Sequence, residues 1–336
     1  MKRYCFLIFV SLFLIICFGS EALSESKWAV RKLPDTGQTT DTTATVGEDA
    51  DYTNNSFSYT DNGNETISDN VTGLMWQKGG SGEIGWEKGI EYCEDLTLAG
   101  HEDWRLPGSQ EMFSIANQGQ PPLGSNIFSS TKAKYFWTVT THANLPDLKW
   151  TVNRGGGTSA HASSEAVSAG GSTIFNAKCV RDEVPVKLVS RHFTDNGDGT
   201  VKDNTNGLIW QQVDAGKYTW EEALVYCESL NFAGTDKWRL PNIKELRALC
   251  DDTLCEPSIH KAFFVPESAN FWLTAEKAQT KSGIPIISAP FWSSTSTKSK
   301  PRETVSMAWY LDFGPGLSTY QDKSDKFNVR CVHGGL

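Results

Sequence analysis

Two stretches of this chain are one sequence written twice. Tyr59-Thr60-Asp61-Asn62-Gly63 through Gly73-Leu74-Met75-Trp76-Gln77 recurs as Phe193-Thr194-Asp195-Asn196-Gly197 through Gly207-Leu208-Ile209-Trp210-Gln211, at a constant offset of 134. The same offset carries Trp86-Glu87 onto Trp220-Glu221, Tyr92-Cys93-Glu94 onto Tyr226-Cys227-Glu228, and Trp104-Arg105-Leu106-Pro107 onto Trp238-Arg239-Leu240-Pro241. Two copies are too few for a solenoid, so the chain is a tandem repeat of one domain. Its 336 residues accommodate two domains of ordinary size, each expected to bury its own core.

The ends set the compartment. Lys2-Arg3, an apolar run from Tyr4 to Phe18 and then Ser20-Glu21-Ala22 read as a cleaved signal peptide over residues 1–22. The run is too short to span a bilayer comfortably, and no transmembrane segment is expected after cleavage. Lipidation at Cys17 is the alternative, but it needs small residues before the cysteine, and Ile15-Ile16 are bulky. The chain is then exported, to the periplasm, the outer surface or the medium. Residues 23–55 are rich in Thr, Asp, Gly and Asn and read as a flexible leader or loosely packed arm. The first repeat follows over 56–183, a linker over 184–191 and the second repeat over 192–336. A net charge of −9 repels polyanions, so nucleic acid is not an expected partner.

Within a repeat, Phe193 to Asp203 carries a hairpin signature, because Gly and Asn tolerate the positive φ of tight turns. Asp195, Asn196, Asp198 and Asp203 are also hard oxygen ligands, which leaves a calcium loop as the alternative, although the spacing is not that of an EF-hand. Thr219 with Glu222 forms a capping box. Trp220, Ala223, Leu224 and Cys227 then line one buried helical stripe. After Trp238-Arg239-Leu240-Pro241, Asn242 caps a second helix whose third position is Glu245. Gly108 and Glu111 are the first-copy counterparts. Capping explains both glutamates better than catalysis does, and Arg105 and Arg239 read as partners of a buried carboxylate or carbonyl.

The back half of each copy is strand-like, from Phe136-Trp137 or Phe291-Trp292 to the closing Lys178-Cys179-Val180 or Arg330-Cys331-Val332. Two helices packed on small antiparallel sheets make an α+β fold. Six cysteines remain after signal cleavage, and an even count in an exported chain reads as disulfides. Each copy has one cysteine on its first helix and one on its last strand, which pairs Cys93 with Cys179 and Cys227 with Cys331. Cys250 and Cys255 have no first-copy counterparts and are expected to bridge locally, with a redox pair as the alternative.

The tryptophans shared between copies, Trp76, Trp86, Trp104 and Trp137 with Trp210, Trp220, Trp238 and Trp292, read as core. No histidine is shared, and the cysteines are assigned to bridges, so no catalytic residue is expected. The copies differ most between Trp-Arg-Leu-Pro and the Phe-Trp strand, and variable loops on a shared scaffold are where specificity sits. The expected ligand surface is the second-copy insert around His260, Phe264, Phe271 and Trp272, with Trp309 and Tyr310 nearby.

The string from Thr194-Asp195-Asn196-Gly197 through Trp238-Arg239-Leu240-Pro241, Phe291-Trp292-Ser293-Ser294-Thr295 and Val329-Arg330-Cys331-Val332 resembles a bacterial domain family. It is the one named for the C-terminal domain of the Legionella collagen-like adhesin. The resemblance covers both copies, and the second is closer; the first departs at Asn64-Glu65, Gly108-Ser109 and Thr138-Val139-Thr140. The order of elements is also similar to the C-type lectin fold and the formylglycine-generating enzymes, in which a disulfide ties the first helix to the last strand. The resemblance implies two tandem C-type-lectin-like domains and an exported binding or adhesion module for carbohydrate or another cell-surface ligand. A protein-interaction or structural domain is the alternative, with a formylglycine-type oxidase behind it. The namesake binds sulfated polysaccharides; an acidic chain without a collagen repeat does not inherit that ligand. The lectin signature Trp-Asn-Asp is absent, so a calcium-bridged sugar site is not expected; no cofactor is expected beyond the calcium alternative at the hairpin.

Overall fold

The computed structural model describes residues 27–29, 32–52, 55–118, 128, 135–153, 155–164, 175–183, 188–190, 193–254, 258–263, 277–279, 285–297 and 306–335. Strand β1 (Lys27–Ala29) pairs with β10 (Leu188–Ser190), which joins the stretch before the first repeat to the linker before the second. The first repeat opens with β2 (Tyr59–Asp61), β3 (Thr66–Asp69) and β4 (Leu74–Gln77), and β9 (Val180–Asp182) returns from its end to complete the sheet. The second copy repeats this order with β11 (Phe193–Asp195), β12 (Thr200–Asp203), β13 (Ile209–Gln211) and β21 (Val332–His333).

Local chemistry fixes the hairpins. Asp61 and Asp195 accept from the amides of Gly63 and Gly197, whose φ values of 70° and 75° lie where a β-carbon is disfavoured. Two residues later the copies diverge. A β-carbon on Gly199 would stand 2.8 Å from the Phe232 ring, whereas the first copy holds Glu65 at φ 66° and has the smaller Leu98 as its counterpart of Phe232.

Helix α3 (Trp220–Glu228) buries the expected stripe, helix α1 (Trp86–Glu94) buries Gly89 and Cys93 but leaves Trp86, expected in the core, half-buried, and both long-range bridges form, Cys93–Cys179 and Cys227–Cys331. Each ties a first helix to the closing segment of its own repeat, 86 or 104 residues away. Beside those cysteines, Lys178 and Arg330 occupy matching buried positions. Lys178 Nζ donates to the carbonyls of Gln77, Lys78 and Gly79, and Arg330 Nη1 to those of Gln211 and Gln212. Burial pushes Lys178 down to about 7 and Arg330 to about 10.

Short helices α2 (Ser109–Ser114) and α4 (Ile243–Ala248) start where Trp-Arg-Leu-Pro ends. Glu111 and Glu245 accept the N-cap amides of Gly108 and Asn242 at 2.9 and 3.0 Å. Each also grips its arginine through both guanidinium nitrogens, Arg105 at 2.7 Å and Arg239 at 2.6 Å. The first-copy sheet is β7 (Thr158–Ala162), β6 (Leu148–Asn153), β5 (Tyr135–Thr141) and β8 (Phe175–Asn176). The second-copy sheet is β14 (Lys217–Tyr218), β20 (Phe327–Asn328), β17 (Pro290–Thr297), β18 (Met307–Asp312) and β19 (Leu317–Asp322). The second-copy insert adds β15 (Lys277–Gln279) paired with β16 (Pro285–Ile287). Both long strands bulge just after their tryptophan. There the amides of Val139 and Ser294 reach Pro107 and Pro241, and the Thr140 and Thr295 hydroxyls accept the first helical amides of α2 and α4.

The expectation of two private cores is only partly met. Each copy keeps a small cluster around its bridge and first helix, but the largest cluster runs through both copies, from Met112, Phe113 and Phe136 to Leu246, Phe291 and Trp309. The joint is nearly two-fold. Gln110 on α2 donates to the Arg247 and Cys250 carbonyls at the end of α4, and Lys244 on α4 donates to the Ser114 carbonyl at the end of α2. On the flank, β7 lies beside β19, with the Ser318 amide donating to Thr158 Oγ1 at 2.8 Å.

Composition alone makes the stretch before the first repeat a loose arm, yet residues 32–52 form a strap that packs on the second repeat. Hydrogen bonds hold it, with Leu33 adding apolar contact to the shared core. Gln38 Oε1 accepts the Ser296 amide at 2.7 Å, and Glu48 takes the hydroxyls of Ser296 and Thr42. Asp49 takes those of Thr36 and Thr295. Tyr52 sets its ring 5.5 Å from the Arg239 guanidinium and donates its hydroxyl to Glu228 at 2.6 Å. Burial pushes the Asp49 carboxyl up to about 7 in spite of its donors.

Candidate functional site

The stripe that buries Trp220, Ala223, Leu224 and Cys227 turns Glu221, Glu222 and Val225 outward and leaves Tyr226 half-buried. Tyr218 on β14 stacks on Tyr226, with ring centroids 5.1 Å apart and planes 29° from parallel. An open groove of about 570 Å³ runs over this pair, lined also by Thr45, Lys217 and Lys326. Tyr218 is the cross-strand partner of Phe327, and the half-buried Phe327 packs on Tyr310 at 4.7 Å. Four aromatic side chains thus make a ridge with charged groups at one end.

The charges are held in place. Glu222 accepts the Thr219 amide at 2.9 Å, which keeps its carboxyl below the usual range. Glu221 accepts the Thr43 hydroxyl of the strap at 3.1 Å. Burial first, then Asp312 and Asp325, pushes the Tyr310 phenol up to about 12. Aromatic faces beside fixed carboxylates and ammonium groups can take a ligand that is apolar on one side and rich in hydroxyls on the other.

The residues expected at the ligand surface do not all meet here. Trp309 and Tyr310 are neighbours on one strand and face opposite sides of the sheet: Tyr310 joins the ridge, while Trp309 is buried in the shared core against Tyr320. His260 packs on Phe193, with centroids 5.1 Å apart, and its Nδ1 accepts the Ala262 amide. Phe264, Phe271 and Trp272 lie outside the described residues, as does Cys255 and with it the expected bridge to the buried Cys250.

The calcium alternative meets a different geometry. Asp195 accepts from Gly197 and Gln212, Asp198 from Thr200, and Asp203 from Thr205 and Asn206, while Asn196 donates to Thr200. Asp203 pairs with Phe193 at the base of the hairpin and Asp198 sits at its tip, so the four side chains do not converge. Among the described residues no three His, Cys, Asp or Glu side chains are grouped to hold a metal ion.

A family model described as the Lcl C-terminal domain matches residues 65–181 and again residues 199–333. The chain belongs to that family. No curated protein matches it. The two Lcl C-terminal domains share the bridge, the Arg–Glu pair and the bulge, but not the ridge. Where the second domain has Tyr218 and Tyr310 the first has Ile84 and Thr151, and its counterpart of Phe327, Phe175, is fully buried beneath Tyr135 and His161. Among the described residues no helix is long and apolar enough to cross a membrane.

Sequence reading missed Tyr218, Tyr226 and Phe327. Tyr226 could have been found, since it lies just off the buried stripe of its helix. Phe327 could not, because only strand pairing across more than a hundred residues brings it beside Tyr218.

Proposed function

We propose that this chain is an exported, non-catalytic adhesion module whose second domain recognises carbohydrate along the Tyr310, Phe327, Tyr218 and Tyr226 ridge. The stacked tyrosine pair beside fixed carboxylates is the observation that carries this reading, because such a surface offers both ring faces and hydroxyl partners to a sugar. Two bridges that each close a long loop fit an oxidising compartment and a signal peptide at residues 1–22. They also occupy four cysteines, which argues against thiol chemistry of the formylglycine-generating kind. A helix-to-last-strand bridge in each domain supports a C-type-lectin-like fold.

A glycan array with and without calcium tests the proposal, using the native chain beside Tyr226→Ala and Tyr218→Ala. Binding lost in both variants and unchanged by chelation is the expected result. An array without signal, together with capture of a specific protein partner, would replace it with the protein-interaction reading.

A further inference from the structure

The seat that the strap fills on the second domain exists again on the first, where it lies open. Val139, on the bulge, is 47% exposed, whereas its counterpart Ser294 is 1% exposed. The Arg105 and Glu111 side chains are 39% and 19% exposed against 5% and 1% for Arg239 and Glu245. Yet most of the groups that hold the strap have counterparts, the exception being Lys244, which donates to the Asp35 carbonyl of the strap and is replaced by Gln110, turned toward the joint. Thr140 stands for Thr295, Arg105 for the arginine under Tyr52, and Glu94 for the glutamate that takes the Tyr52 hydroxyl. Even the ammonium over the indole is rebuilt from a different strand. Lys149 Nζ, on β6, lies 4.2 Å from the Trp86 ring, as Lys323 Nζ, after β19, lies 3.4 Å from that of Trp220.

We propose that this open face of the first domain, at Arg105, Val139, Thr140 and Trp86, docks an extended peptide segment of another protein that carries carboxylates and an aromatic side chain. The chain's own strap shows what the seat accepts: carboxylates to the bulge hydroxyls and an aromatic ring on the arginine. Among the described residues one strap serves two seats, which points to an occupant of the second seat in trans. The polar surface of the seat gives specificity through hydrogen bonds, and the exposed Val139 and the Trp86 edge supply the apolar contact.

The test uses a fluorescent synthetic peptide with the sequence of residues 36–52, titrated onto the full chain by anisotropy. Saturable binding of one peptide per chain is expected. Val139→Arg, at an exposed position on the bulge, should weaken it by about tenfold or more, and a peptide carrying Tyr52→Ala should bind more weakly as well. Melting curves of Val139→Arg check that the fold is kept. The proposal is overturned if the peptide does not saturate, or if Val139→Arg leaves its affinity unchanged, which would mean exchange with the strap on the second domain.

Discussion

The Arg105–Glu111 pair of the first domain and the Arg239–Glu245 pair of the second have the same bidentate contact and cap the same helix, but one faces solvent and the other is sealed beneath the strap. Sequence repetition preserved the pair; a segment outside the repeat decides what it contributes. An exposed ion pair is screened and weak, whereas breaking a sealed one leaves a charge without a partner in low dielectric. Equal sequence thus carries unequal energy, and the difference lies in the cover.

The largest effects should be the ones the domains share. Removing either bridge, as Cys93→Ser with Cys179→Ser or Cys227→Ser with Cys331→Ser, should cost about 4–5 kcal/mol in calorimetry by the chain-entropy model. A markedly smaller loss in the second domain would show that the strap substitutes for its bridge. Next in size, Arg239→Ala should destabilise by about 3–5 kcal/mol in urea unfolding. Arg105→Ala, discounted for exposure, should cost about 1 kcal/mol or less. Equal losses would break the comparison.

The strap itself should respond to pH. The folded pKa of Asp49 is raised to about 7, so the folded chain holds a proton that the unfolded chain releases near 3.8. Its contribution is therefore fully present below about 4 and is lost as pH rises to about 7, with a slope set by about 1.4 kcal/mol per pKa unit. Asp49→Asn should flatten this region of the stability profile relative to the native chain. A native profile that runs parallel to that of Asp49→Asn would place the proton elsewhere. Smallest in stability but decisive for binding, Tyr226→Ala should shift unfolding by about 1 kcal/mol or less and abolish glycan retention, while Tyr92→Ala leaves retention intact. The reverse pattern would move the ligand to the first domain.

Much of this architecture was legible in the sequence because its cues are local or duplicated. The Asp–Gly hairpins, the helical stripe, the capping glutamates and both long-range bridges follow from spacing and from comparing one copy with the other. The strap was not legible, since residues 32–52 have the composition of a loose arm and are buried through hydroxyl and carboxylate hydrogen bonds that composition does not reveal. The shared core escaped for a related reason: apolar faces say that something covers them, not which copy does. Separating Trp309 from Tyr310 needed only the two-residue period of a strand, which their adjacency in sequence obscured.

Gln110 reaching one way across the joint and Lys244 the other make that surface self-complementary. A gene fragment encoding a single repeat would therefore encode half of a two-fold clasp, with one helix end and one apolar flank bare. Two such halves can close on each other, whereas one alone has nothing to close on.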